Sequence, residues 1–192
     1  MKTQIRTLLS IAFLLCFSVA KSQNLQIASC SYISGYVNGP APQIGPPQPP
    51  LTDWEATLIT YFNNAYGKAL PPLPLLTLYQ EPNARAGAFG VAINRGWMNS
   101  MGKPMGTAIL AHELGHVCQG YRLLPIDAAY MQYGLEGQAD YFAGRLLAAS
   151  GFPQAALENH VLPILAQAQG DSTHAPGPIR VMLTKAGYYW HP

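Results

Sequence analysis

Charge is scarce in this sequence: Asp, Glu, Lys and Arg make up 10% of its 192 residues. The formal net charge is only +2. So weak a balance argues against nucleic acid or an acidic surface as partner. Cysteine is scarce too. Cys16, Cys30 and Cys118 are the full set, so at most one disulfide can form. Long apolar runs are also missing. The longest stretch of note, Leu8 to Val19, is shorter than the roughly 20 residues that a transmembrane helix needs. No internal repeat appears. What is abundant is apolar content, at 49%, together with 18 Gly and 17 Pro. That composition suits one globular domain with a real core and long loops, not a disordered chain.

The N-terminus carries a targeting pattern. Lys2 and Arg6 form a basic region, Leu8 to Val19 the apolar segment, and Ser18-Val19-Ala20 offers small residues for a cut after Ala20. We expect residues 1–20 to be a signal peptide and the protein to be exported, periplasmic or secreted. An uncleaved membrane anchor is the alternative. Removing the signal removes Cys16 and leaves Cys30 with Cys118 in an oxidising compartment. The pair reads as one disulfide, or else as two separate thiols.

Residues 21–50 read as a proline-rich extension or linker, and residues 51–192 as the functional domain. Pro40 to Pro50 cannot build a helix interior or a central strand, so a polyproline spacer or surface strap is expected. Thr52 and Glu55 have capping-box spacing and open a helix ending near Gly67. Leu75 to Tyr79 reads as a strand. From Arg85 to Met98 the chain looks strand-rich, with Phe89, Val91 and Ile93 alternating with small residues. Were that strand at a sheet edge, it could hold an extended peptide by main-chain pairing. Otherwise it is an ordinary strand under a helix. Helices are then expected over about 105–121, 133–149 and 153–168, with a kink at Pro163, and from Pro176 or Pro178 to Gly187.

The chemistry concentrates in His112-Glu113-Leu114-Gly115-His116. One helical turn separates the two histidines, so both lie on one face, and two imidazoles so placed can bind one Zn²⁺. Glu113 is adjacent and can serve as a general base toward water. By composition this pattern arises by chance on the order of once in a few hundred such chains. The surrounding Ala, Leu, Gly and Val also argue against a solvated face. Catalytic zinc usually takes three protein ligands. Glu136, on a second helix, is the best third, with Asp140 or Asp127 as substitutes. Asp140, one turn after Glu136, can accept from the free N–H of a ligand histidine and fix its tautomer.

Two stretches together, Ala111 to Gln119 and Leu135 to Gly144, resemble the gluzincin zinc metallopeptidases. The closest groups are the small HtpX-like and neutral zinc metallopeptidases, whose second helix reads Glu-x-x-Ala-Asp. Asn83-Ala84, Ile93 to Trp97, and Ser172 to Pro176 with Arg180 are weaker echoes. Ala175 departs from the pattern, in which His is followed directly by Pro. The resemblance spans roughly residues 80–187. It implies that Glu113 takes a proton from water and passes it to the leaving amine. It also implies that His174 donates to the developing oxyanion, unless His174 is only a loop histidine. Arg180 would pair with Asp140 or Glu136, or else sit on a helix surface.

The expectation is an α+β, zincin-like fold. A small mixed sheet with an edge strand would pack on a bundle of about four helices that carries the zinc site. The expected function is an exported zinc endopeptidase acting on a peptide or protein held in extended form. Two alternatives are a zinc-stabilised, non-enzymatic peptide-binding domain and a zinc amidase acting on cell-wall peptide.

Overall fold

The computed structural model describes residues 29–30, 43–50, 52–67, 75–79, 83–87, 90–120, 134–170 and 174–190. The expected signal peptide and Asp127 lie outside the described residues. The strands are β1 (Ser29–Cys30), β2 (Gln43–Pro47), β3 (Leu75–Tyr79), β4 (Ala84–Gly87) and β5 (Gly90–Ile93). The helices are α1 (Asp53–Tyr66), α2 (Arg95–Ser100), α3 (Lys103–Gly120) and α4 (Gly134–Ala149). After them come α5 (Gln154–Ala156), α6 (Leu162–Ala166) and α7 (Gly177–Tyr188). The architecture is α+β. The sheet is small and mixed, ordered β1-β4-β5-β3-β2, with β3 parallel to β5 and the other pairs antiparallel.

Within the proline-rich segment, Gln43–Pro47 is built into the sheet. Pro46 and Pro47 cannot donate to a ladder, so β2 takes an outer position beside β3, with a register break between Ile44 and Pro47. Gln48 pins it further, its backbone N–H donating to Leu75 O at 2.8 Å and its Nε2 to Leu76 O at 2.7 Å. Arg95 then reaches from α2 to Pro49 O and to Glu55 Oε2 of α1. Thr52 caps α1 as its spacing predicts, accepting from the Glu55 N–H at 3.0 Å. The Glu55 carboxylate ties α1 to the end of the sheet.

The strand-rich reading of 85–98 needs correction. Asn94 caps a helix, accepting from Trp97 N–H at 3.1 Å, so residues from Arg95 onward are α2. Neither β4 nor β5 is an edge strand: β5 lies between β4 and β3, and β1 pairs with β4 at Ala84 and Arg85. All four β5 residues are buried, so its two faces are both covered and its alternation does not mark a solvent side. The motif helix also starts earlier than expected. Pro104 falls in its first turn, where a missing N–H costs nothing, after Gly102 at φ +82°.

Helix α3 packs on β4 and β5 with one side and on α4 with another, and α4 in turn packs on α7. Ile109, Leu110 and Leu114 of α3 join Ile93, Leu147, Leu157 and Leu165 in one core. Each such side chain, fully buried, contributes about 1.5–3 kcal/mol. Cys118 belongs to this core. It is a free and fully buried thiol, pushed up to about 12 by burial. The expected Cys30–Cys118 disulfide is therefore not formed. Cys118 faces apolar packing inside α3, while the backbone of Cys30 pairs with Ala84 at the sheet edge. Between α5 and α6 the chain makes a π-helical turn over Leu157–Val161. It comes just before Pro163, where a proline interrupts the α-helical bonding. The expected kink takes this form. No helix among the described residues is long and apolar enough to cross a membrane.

Candidate metal centre

Close approach of α3 and α4 creates the site. A Cβ on Gly115 would lie 3.1 Å from Ala139 Cα, a tight contact, so glycine there favours the close approach of the two helices. That contact sits between His112 and His116 on one helix and Glu136 and Asp140 on the other. A second close approach follows behind it. Gly144 of α4 meets the Thr184 carbonyl of α7, and Gly187 meets that of Tyr141. Helix α7 thereby comes near enough for Arg180 to reach Asp140.

Three nitrogens converge on one oxygen. His112 Nε2, His116 Nε2 and His174 Nε2 lie 3.1, 3.2 and 3.1 Å from Glu136 Oε2. The two motif nitrogens are 3.1 Å from each other. All these residues are buried, as are Glu113, Asp140 and Arg180.

The outer partners set the histidine protons. Asp140 Oδ1 lies 2.9 Å from His112 Nδ1. Arg180 donates to both Asp140 oxygens, Nε to Oδ2 at 2.8 Å and the terminal nitrogen to Oδ1 at 2.7 Å. Burial pushes the Asp140 carboxyl up, yet Arg180 and then His112 hold it down at about 2. An ionised carboxylate only accepts, so the proton of His112 sits on Nδ1. Gln119 does the same for the second histidine. Its Nε2 donates to Leu135 O at 2.6 Å, which turns its Oε1 toward His116 Nδ1 at 2.8 Å. Both Nε2 atoms therefore present lone pairs to each other and to Glu136.

Such a cluster calls for a cation at its centre. Lone pairs at 3.1–3.2 Å repel unless a positive charge lies between them. These separations are close to the roughly 3.3 Å between neighbouring donors around a tetrahedral ion with ~2.0 Å bonds. His112, His116 and Glu136 thus form a group that could hold a metal ion. No family model, curated protein or solved structure matches this chain.

The structure brings the sequence-identified residues together. Glu136, not Asp140, joins the two histidines, and Arg180 pairs with Asp140 rather than with Glu136 or solvent. His174 is buried beside Glu136 and is no surface-loop histidine. Glu113 lies fully buried on α3 next to His112. Sequence reasoning gave Gln119 no role. Its signal was present all the same: position i+3 from His116 places it on the same helix face.

Proposed function

We propose that this protein is an exported zinc-dependent endopeptidase with a zincin-like arrangement of sheet and helices. The observation that carries the reading is the pairing of a metal-ready donor set with Glu113. Both motif histidines are held in the Nδ1–H tautomer and both turn Nε2 toward Glu136. Two imidazoles and a carboxylate suit zinc better than magnesium or calcium, which prefer oxygen ligands alone. A purely structural zinc site is normally closed by four protein ligands and has no use for a buried glutamate beside it. Here the group is three, with Glu113 adjacent in sequence and fully buried.

Zinc held by His112, His116 and Glu136 would supply Lewis acidity toward a peptide carbonyl and toward water. Glu113 takes the proton from the attacking water and later delivers it to the leaving amine. In this proposal His174, whose Nε2 lies 3.1 Å from Glu136 Oε2, takes the role of donating to the developing oxyanion. Asp140 and Gln119 keep the ligand imidazoles oriented, and Arg180 keeps Asp140 ionised.

The test combines metal analysis with digestion of a peptide library by wild type and Glu113→Gln. We expect about one zinc per chain in both proteins, cleavage by wild type that a chelator abolishes, and at least a 10³-fold loss in the variant. Unchanged cleavage by a zinc-loaded Glu113→Gln would sink the mechanism. Zinc binding without any cleavage by wild type would favour the zinc-stabilised binding domain.

A further inference from the structure

A second site lies at the other end of α4. There α1, α4 and the end of α7 border a half-open cavity of about 460 Å³. Its walls include Tyr61, Tyr66, Phe142, Arg145, Tyr188 and Trp190. Arg145 is nine residues past Glu136, so along the helix axis the two sites are roughly 13 Å apart. The volume falls in the range of small-molecule pockets and suits one aromatic amino acid with its backbone.

The chemistry of the walls is specific. Phe62, Tyr66 and Phe142 form a chain of ring contacts at 5.2 and 6.0 Å, which fixes the inner wall. Tyr61 and Trp190, 36% and 41% exposed, stand at the mouth. The Arg145 guanidinium lies 3.9 Å over the Trp190 ring. Stacking occupies the face of the guanidinium and leaves its in-plane N–H groups for a planar acceptor. Among the described residues, no carboxylate or carbonyl accepts from them. One fork of donors beside aromatic walls matches a ligand with one carboxylate and one ring.

We propose that this cavity binds an aromatic carboxylate, with Arg145 gripping the carboxylate and the ring lying among Tyr61, Tyr66 and Trp190. The ligand could be a free aromatic acid or the C-terminal aromatic residue of a peptide, since both present the same groups. The proposal does not depend on zinc or on peptidase activity.

Calorimetric titration of the full-length chain tests it, using N-acetyl-phenylalanine, its C-terminal amide, phenylacetate, and a pentapeptide ending in free phenylalanine. Each titration is run with zinc and with chelator, because a carboxylate can also coordinate zinc. The acid is expected to bind in both conditions, and the amide about tenfold more weakly or worse. Arg145→Gln should lose about tenfold for the acid while keeping the wild-type circular dichroism spectrum, with Arg145→Lys in between. Phenylacetate binding as tightly as the peptide assigns the free acid, and tighter peptide binding assigns the chain terminus. Equal affinity for acid and amide overturns the proposal. So does binding that vanishes with chelator, binding indifferent to Arg145→Gln, or no saturable binding of any probe up to about 10 mM, a Kd range weaker than useful recognition.

Discussion

The two ends of α4 carry polar groups in opposite arrangements. At the first turn and just beyond, Glu136 and Asp140 are buried, and Asp140 takes two bonds from Arg180 and contacts His112. Near the last turn, Arg145 is half-buried and stacks on Trp190 with no carboxylate in reach among the described residues. Both ends feature an arginine, but only one arginine belongs to a closed network. A closed network fixes donors for something as small as an ion. An open fork of donors beside a cavity has to be met from outside. Burial of the acidic partner, and not the arginine itself, makes the difference.

The largest effect that tests this contrast comes from Arg180→Ala. It strands a buried carboxylate, which typically costs about 3–5 kcal/mol. Urea unfolding of metal-free protein should register the loss. The double change Arg180→Met with Asp140→Leu should recover much of it, because a well-packed apolar pair removes the stranded charge. A loss below about 1 kcal/mol in the single variant would mean that the pair is solvated after all.

Gln119→Ala is expected to weaken zinc binding by about 10–100-fold, the usual consequence of removing a group that orients a ligand histidine. Competition against a calibrated chelator measures this. The fold should survive, since Gln119 is only partly buried and contributes no apolar packing. Unchanged affinity would show that packing alone orients His116.

How much of this was legible before the structure depends on the kind of signal. His112, His116, Glu136 and Asp140 follow from helical spacing, a local rule, and the helices obey it. The α4 stop near Gly151 and the Thr52 cap are local too. The position of β5 was not legible, because alternation reports two faces but not whether each is covered. Helix α2 was hidden by its brevity, six residues opened by an Asn94 cap. The sheet role of Pro46 and Pro47 was half legible: proline rules out a central strand yet permits an outer one. Cys30 and Cys118 suggested a bond through number and compartment, whereas a disulfide also needs facing Cβ positions, which sequence does not encode. The closeness of α3 to α4 was written in Gly115, inside the motif, but its meaning needed Ala139 opposite it.

Acid gives a third comparison of the two ends. The Asp140 carboxyl sits at about 2 in the fold, below its ordinary 3.8, because Arg180 and His112 outweigh the effect of burial. A carboxylate held low contributes stability that is complete above its unfolded value and is lost as pH falls through the folded one. In metal-free protein, this group should add no pH slope above about pH 5. Between about pH 4 and pH 2 it should remove on the order of 2 kcal/mol. Asp140→Asn should flatten that part of the profile. Arg145 pairs with no carboxylate among the described residues, so this arginine should contribute nothing to it.

Arg145→Ala should have the smallest effect on folding. Among the described residues it stacks on Trp190, and a cation–π pair outside the core is worth about 0.5–1 kcal/mol. No buried partner is left stranded by its removal, unlike the removal of Arg180. The expected loss in unfolding free energy is therefore below about 1 kcal/mol. A loss of 3 kcal/mol or more would place Arg145 in a network as closed as that of Arg180, and the two ends of α4 would then be the same kind of site. A small loss leaves an arginine that the fold does not need, beside a cavity whose walls it completes.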